Sequence, residues 1–94
     1  MANYILLASY TEQGIKETVK RTEAVKELAK KSGLAMKESY WTLGAYDVVA
    51  VFEAADDETM TAFSLSIARL GNVKTQTLRA FSDKEMTSIL GKMT

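Results

Sequence analysis

The residues best suited to chemistry are concentrated in one short segment, residues 40–47. This segment, Tyr-Trp-Thr-Leu-Gly-Ala-Tyr-Asp, contains the only tryptophan and two of the four tyrosines. Phenols and a carboxylate at the rim of an apolar cavity can orient a polar ligand, bind a cation or, if Asp47 is desolvated, abstract a proton. Arg79 adds a planar cation suited to anionic ligands. The candidate ligand-binding residues are Tyr40, Tyr46, Asp47 and Arg79, and Asp47 is the best candidate for a catalytic residue.

The same residues also allow a purely structural interpretation. Gly44-Ala45 suits a two-residue type II′ turn, and the aromatic residues beside it suit cross-strand pairs. Asp47 can accept hydrogen bonds from backbone amides near such a turn, and Arg79 can form a structural ion pair with a carboxylate. The sequence leaves both interpretations open.

Composition excludes several classes of chemistry. The chain has no His, Cys or Pro, so it has no imidazole base, thiolate nucleophile, disulfide or Cys/His zinc site. Twelve basic and twelve acidic residues give zero net charge, which argues against nucleic-acid binding. Asp56-Asp57-Glu58 lacks the spacing of a calcium loop and more simply caps a helix. We expect no metal site and no cofactor.

Ninety-four residues are enough for one domain, spanning 1–94. The start of the sequence has no basic n-region, and its apolar run, residues 5–8, is too short for a signal peptide or a membrane span. We therefore expect a cytoplasmic protein with no membrane partner.

Apolar periodicity and the positions of glycines predict seven segments. Strands are predicted over residues 3–10, 34–43, 47–55 and 73–81, numbered β1 to β4. Helices are predicted over residues 12–33 with Thr11 as cap, between the cap Asp56 and Gly71, and after a capping box at residues 82–85, numbered α1 to α3. This order predicts an α+β, ferredoxin-like βαββαβ fold with a short C-terminal helix. Its four-stranded antiparallel sheet has β1 and β3 at the centre and both main helices on one face.

Both faces of the two central strands are apolar. In β1 one face carries Tyr4, Leu6, Ala8 and Tyr10, and the other carries Ile5, Leu7 and Ser9. In β3 one face carries Val48, Ala50 and Phe52, and the other carries Val49 and Val51. A face of roughly 300 Å², estimated from strand spacing and rise, is usually covered in a small protein. We expect a second copy to cover it, because two-fold homodimers are the commonest assemblies. The alternative is that α3 folds back over this face and the chain is monomeric.

Two motifs resemble the GYD domain family. The first is Gly44-Ala45-Tyr46-Asp47, and the second is the segment Leu-Gly-Asn-Val-Lys-Thr-Gln-Thr-Leu-Arg-Ala-Phe at residues 70–81. The resemblance covers essentially the whole chain and implies a small protein of the dimeric α/β barrel type. It marks Gly44, Tyr46 and Asp47 as motif residues and implies no established activity.

A weaker similarity points to the effector-binding domains of Lrp/AsnC-type regulators, which bind amino acids between subunits. It is carried by the Gly-x-Tyr-Asp hairpin, the acidic start of α2 and the Gly-x-Val start of β4. This chain lacks the helix-turn-helix of those regulators, so the similarity favours ligand binding over transcriptional control.

These observations give three hypotheses about function. The leading one is a homodimer or higher homo-oligomer that binds a small organic ligand in an apolar cavity, between sheets or between helices and sheet, lined by the Gly-x-Tyr-Asp hairpin. The second is a cofactor-independent isomerase or monooxygenase with Asp47 as base. The third is a structural or assembly protein in which the aromatic cluster sets the oligomer.

Overall fold

The computed structural model of the chain describes residues 1–11, 18–71 and 73–94. Its strands are Ala2–Tyr10 (β1), Ala35–Trp41 (β2), Val48–Ala54 (β3) and Val73–Ala80 (β4). Its helices are Thr18–Lys31 (α1), Asp57–Arg69 (α2) and Asp83–Leu90 (α3). The predicted α+β, ferredoxin-like order of elements is confirmed. None of the described helices is long and apolar enough to cross a membrane.

The four strands form one antiparallel sheet in the order β2-β3-β1-β4, so the predicted central strands are confirmed. Leu6 of β1 lies opposite Ala50 of β3 and Thr77 of β4. Because side chains alternate between the faces of a strand, this register places Leu6 and its i±2 neighbours on one face and Ile5 and Leu7 on the other.

The core lies between the first of these faces and the helices. Phe52, from the centre of the sheet, is fully buried and packs against Phe63 of α2 with ring centroids 5.1 Å apart. Three residues of α2 are buried in this core, whereas Ala29 is the one residue of the described part of α1 that is fully buried. The sheet therefore packs more closely against α2 than against α1.

The predicted helix caps follow from local chemistry and are confirmed for α2 and α3. Asp56 Oδ1 accepts a hydrogen bond from the Thr59 N–H at 2.8 Å, which satisfies a free donor in the first turn of α2. Ser82 and Glu85 form a reciprocal capping box at the start of α3. The predicted start of α1 falls within residues 12–17, outside the described residues. Thr11, its predicted cap, donates its hydroxyl hydrogen to the Gly71 carbonyl at 2.9 Å.

The connection between β2 and β3 is longer than the predicted two-residue turn. Tyr40 pairs with Val49, but the ladder ends at Trp41 and Val48, and residues 42–47 form the connection. The Asp47 N–H donates to the Ala8 carbonyl of β1 at 2.9 Å, and the Asp47 carbonyl accepts the Thr42 N–H at 2.8 Å, so Asp47 links the start of β3 both to β1 and to the residue that follows β2. Gly44 adopts φ +128° inside the connection, a conformation that favours glycine.

Helix α3 does not cover the face of the sheet opposite the core. None of its residues is buried, and it makes no extensive contact with any described strand. Its apolar residues Met86, Ile89 and Leu90 are 38–55% exposed. The alternative in which α3 folds back over the sheet is therefore wrong.

Candidate functional site

The connection at residues 42–47, called the hairpin loop below, is tied to the two strands beyond β3. Asp47 Oδ2 accepts a hydrogen bond from the Tyr10 N–H of β1 at 2.8 Å. The Tyr46 hydroxyl donates to Gln76 Oε1 of β4 at 2.7 Å, so this side chain reaches across the end of β1. Within the loop, the Thr42 hydroxyl donates to the Tyr46 carbonyl at 2.6 Å. Tyr46 and Asp47 therefore hold the hairpin loop against the sheet.

The two aromatic residues at the end of β2 lie on opposite faces. Tyr40 is on the face away from the core and is 56% exposed. Trp41 is on the helix side, where its indole N–H donates to the Tyr10 hydroxyl oxygen at 2.9 Å and to Thr18 Oγ1 at 3.1 Å. The hydroxyls of Tyr10 and Thr18 are also hydrogen-bonded to each other. We call Tyr10, Thr18 and Trp41 the polar cluster.

Arg79 lies at the other end of the sheet. It pairs with Tyr4, six residues along β1 from Tyr10, which corresponds to about 20 Å at the usual rise per residue. Its guanidinium forms an ion pair with Glu85 at 3.2 Å and lies over the rings of Tyr4 and Phe81, 5.5 and 4.5 Å from their centroids. Tyr46 and Asp47 are thus brought together by the fold, whereas Arg79 occupies a separate, structural position.

The charges around Arg79 shift the pKa of neighbouring groups. A hydrogen bond from the Ser82 N–H, followed by the hydrogen bond from Arg79, lowers the pKa of Glu85 below its ordinary value. Burial raises the pKa of Tyr4, and its hydrogen bond to Asp57 at 2.5 Å raises it further. In the described part of the chain, no group of three or more acidic side chains is arranged to hold a metal ion. Both shifts move the pKa of the group further away from 7.

A cavity of about 170 Å³ lies between the helix face of the sheet and helices α1 and α2. Its walls are mostly aliphatic and aromatic, with Leu6 and Ala50 from the sheet and Val25 and Ile67 from the helices among them. Tyr10 and Thr18 of the polar cluster also line it. Tyr40, Tyr46, Asp47 and Arg79 are not among its described lining residues.

The opposite face of the sheet, called the open face below, is a contiguous apolar patch. Ile5 lies opposite Val51 and Leu78, and Leu7 lies opposite Val49, so five aliphatic side chains are adjacent on three strands. Four of them are half-buried, and Leu78 is 40% exposed. The ion pair between Lys37 and Glu53, 3.3 Å long, and the bond between Tyr46 and Gln76 flank the patch.

Sequence reasoning missed three residues of this region: Tyr10, Thr18 and Gln76. The alternation in β1 placed Tyr10 on the same face as Leu6, which was the available signal for its position. Its partners Trp41 and Thr18 lie 31 and 8 residues away along the chain. No local pattern predicts such a contact, because it depends on how α1 and β2 pack together.

The architecture and the position of the Gly-x-Tyr-Asp segment agree with a known family, whose GYD domain model matches residues 4–90. The chain belongs to the GYD domain family. A relative from Thermus thermophilus is 38% identical over 84 residues, which cover 85% of this chain and 88% of the relative. That protein is named glutamine synthetase and cystathionine beta-lyase binding protein. The predicted resemblance to the GYD domain family is thereby confirmed.

Solved structures agree with this fold. FFRP-DM1, of the Lrp/AsnC regulator type, superimposes with a TM-score of 0.65 at 20% identity, covering 86% of this chain and 100% of that chain. The protein TTHA0845, also from Thermus thermophilus, gives a TM-score of 0.60 at 26% identity, covering 87% and 95%. A hypothetical protein from Pyrococcus horikoshii gives 0.60 at 20% identity, covering 88% and 93%. The predicted similarity to the Lrp/AsnC type is confirmed as a similarity of fold.

Proposed function

We propose that this GYD domain protein acts in the cytoplasm by binding a metabolic enzyme, and that glutamine synthetase and cystathionine beta-lyase are the first partners to test. The observation that carries the proposal is the relative that is 38% identical and is named for binding these two enzymes. The similarity covers 88% of that relative, so it extends over most of the length of that protein and is not confined to one segment.

The chemistry of the candidate residues supports binding over catalysis. Asp47, the candidate base, accepts a backbone N–H and does not line the cavity. Arg79 is held by Glu85 and two aromatic rings. A general base must lie within hydrogen-bond reach of the proton that it abstracts, in or beside the substrate site. The isomerase or monooxygenase hypothesis therefore gains no support from the geometry.

Binding of the two enzymes is tested with the purified full chain immobilised on a biosensor surface and the purified enzymes of the same organism in solution. We expect saturable binding of at least one enzyme with a Kd of about 10 µM or tighter, which corresponds to roughly −7 kcal/mol. An unrelated enzyme of similar size and charge serves as the control and should give no saturable signal. Absence of saturable binding by both enzymes would contradict the proposal.

We further propose that the binding unit is a homodimer formed through the open face. The five adjacent aliphatic side chains support this assembly, since α3 leaves them uncovered. Burying a few hundred Å² per subunit at about 25 cal/mol per Å² contributes several kcal/mol, which is comparable to the stability of a small domain. The third hypothesis, in which the aromatic cluster itself sets the oligomer, is less well supported because Trp41 lies on the helix side.

The dimer is tested by sedimentation equilibrium on the wild type and on two variants. Val51→Lys introduces a charge at the centre of the open face and should give a monomer. Leu65→Lys is the matched control, because Leu65 is an apolar residue of α2 that is 65% exposed and lies outside the open face. It should sediment like the wild type. A wild type that is monomeric at about 100 µM, where even weak specific dimers form, would contradict the assembly.

The cavity favours a second candidate function, the binding of a small ligand. Its volume of about 170 Å³ is larger than the voids found in close-packed protein interiors. It lies between helices and sheet, one of the two positions expected from the sequence. The hairpin loop borders the open face instead, so the proposed ligand does not contact Tyr40, Tyr46, Asp47 or Arg79 from inside this cavity. The chemistry of the cavity wall defines the ligand class more closely.

A further inference from the structure

The described wall of the cavity differs in polarity between its two ends. Toward the middle of the sheet it is formed by apolar side chains, including Leu6, Phe52, Met36 and Leu28. Toward the C-terminal end of β1 it includes the hydroxyls of Tyr10 and Thr18, with Arg21 and Thr22 from α1, beside the apolar side chains of Val48, Leu70 and Val73. This arrangement follows from the topology, because α1 begins beyond the end of β1 and runs back along the sheet. The wall matches a molecule with an apolar tail and one polar head.

The volume limits the size of that molecule. An apolar cavity of about 150 Å³ holds one benzene molecule, which has six non-hydrogen atoms. A volume of about 170 Å³ therefore suits a ligand with roughly six to nine such atoms.

The polar end is rich in donors. The polar cluster has three hydrogens to donate, one each from the Trp41 indole and the hydroxyls of Tyr10 and Thr18. The indole hydrogen is shared between the two hydroxyl oxygens, and one hydroxyl hydrogen forms the bond between Tyr10 and Thr18. The guanidinium of Arg21 and the hydroxyls of Tyr10 and Thr18 line the cavity at this end, and these donors favour an anionic head group.

A cationic or zwitterionic head group fits less well. No Asp or Glu is among the described residues that line the cavity, so none of these residues offers a carboxylate partner to an ammonium group. Placing an unpaired charge in such surroundings is costly. The described part of the wall therefore favours a simple carboxylate over an amino acid of the same size.

We propose that the cavity binds a short branched-chain or aromatic monocarboxylate, with its carboxylate at Arg21 and the polar cluster and its apolar tail between α1 and the sheet. This assignment rests on the second candidate function, ligand binding in the cavity, and is independent of enzyme binding.

The test is a titration of the full chain, followed by isothermal calorimetry and backbone amide NMR shifts. The probes are 4-methylpentanoate, the matched alcohol 4-methylpentan-1-ol, L-leucine and acetate. We expect 4-methylpentanoate to bind at least about tenfold more tightly than each of the other three, a difference of about 1.4 kcal/mol. The largest shifts should fall on the amides of Tyr10, Ser39 and Val25, whose side chains line the cavity.

Two substitutions separate the two parts of the proposal, the cavity and the carboxylate. Ala50→Leu fills the cavity and should weaken the binding of 4-methylpentanoate at least about tenfold, whereas the matched control Ala62→Leu, on the exposed side of α2, should leave it within about twofold. Arg21→Gln keeps the cavity and should remove the preference for the carboxylate over the alcohol. The amide spectrum of each free variant reports whether it is folded.

Two different negative outcomes of the titration lead to different conclusions about the cavity. If the alcohol or L-leucine binds as tightly as 4-methylpentanoate, and Ala50→Leu weakens that binding, the cavity is a ligand site but the carboxylate assignment is wrong. If no probe binds at about 20 mM, so that the binding free energy is weaker than about −2.3 kcal/mol, the ligand-binding function fails together with the assignment.

Discussion

The cavity leads to an unusual prediction: enlarging a buried core residue should stabilise this protein. Ala50 is 2% exposed and lies on the helix face of β3, where it lines the cavity. In a core without spare volume, a substitution from Ala to Leu forces neighbouring side chains apart and costs about 1–3 kcal/mol. Here the additional atoms enter the cavity, so the sign of the effect should be reversed.

The expected gain can be estimated from the atoms added. Leu has three more carbon atoms than Ala, fewer than the six of a benzene molecule held by a cavity of about 150 Å³. Burying them contributes at most about 2.4 kcal/mol at about 0.8 kcal/mol each, and fixing the new side chain costs about 0.5–1 kcal/mol. We therefore expect Ala50→Leu to raise the free energy of unfolding by roughly 1.5 kcal/mol, or to raise Tm by about 6–12 °C for a domain of this size.

The matched control is Ala54→Leu on the same face of the same strand. Ala54 is 0% exposed and is not among the residues that line the cavity. It should therefore lose about 1–3 kcal/mol through overpacking. Urea unfolding at one fixed protein concentration measures both variants, because a dimer's apparent stability depends on concentration. If Ala50→Leu destabilises the protein as much as Ala54→Leu does, the cavity is not available to a side chain and the reasoning is refuted.

Three further predictions concern the hairpin loop and the titrating groups. Asp47→Ala should lower the free energy of unfolding by about 1–2 kcal/mol, because the Tyr10 N–H loses its carboxylate partner. Asp47→Asn should lower it by less, because the amide oxygen can still accept this hydrogen bond. Equal losses for the two variants in urea unfolding would argue against a role of this bond in stability. Because the pKa of Tyr4 is raised in the folded state, its contribution to stability is present below about pH 10 and is lost as pH rises through the folded-state pKa. The Tm of Tyr4→Phe should therefore fall less than that of the wild type between about pH 9.5 and 11, a range that brackets the pKa of an ordinary phenol. Because the pKa of Glu85 is lowered in the folded state, its contribution to stability is present above the ordinary pKa of 4.5 and is lost as pH falls through the folded-state pKa. The difference in urea midpoint between the wild type and Glu85→Gln should therefore be smaller at low pH than at neutral pH. A difference that does not change with pH would contradict this prediction.

The features that the sequence predicted well depend on short-range chemistry. Asp56 caps α2 and Ser82 with Glu85 caps α3, because a cap needs only a side-chain acceptor at the right spacing from a free backbone donor. The two faces of β1 and β3 were also predicted, since alternation along a strand fixes which side chains share a face. The caps depend on contacts between residues that are close in the sequence, and the strand faces follow from the two-residue repeat of a strand.

The position of Arg79 shows what topology could have added. β3 and β4 both run antiparallel to β1, so they are parallel to each other. Asp47 immediately precedes β3, whereas Arg79 is near the end of β4, and such residues must lie at opposite ends of the sheet. The grouping of Arg79 with Tyr46 and Asp47 as one set of ligand contacts is inconsistent with the element order that the sequence itself predicted.

Local patterns in the sequence could not predict the length of the hairpin loop or the contacts of the polar cluster. Asp47 bonds to Tyr10 and Ala8 of β1, 37 and 39 residues earlier in the chain, while its carbonyl accepts the Thr42 N–H just after the end of β2. The hydrogen bond between Trp41 and Thr18 likewise depends on the packing of α1 against β2. Such contacts are set by the competition between distant partners, which residue types and spacing alone do not resolve.

The three motif residues of this family each have a role in holding the sheet together at one end. Gly44 permits the backbone conformation of the loop, Tyr46 spans β1 to reach β4, and Asp47 fixes the backbone of Tyr10. Tyr10 is the residue that links this arrangement to the cavity, because its N–H binds Asp47 while its hydroxyl belongs to the polar cluster. The motif is therefore connected to the cavity through the backbone of Tyr10. It follows that the motif accounts for the architecture, and that differences in function between proteins sharing it should arise in the cavity wall and on the open face.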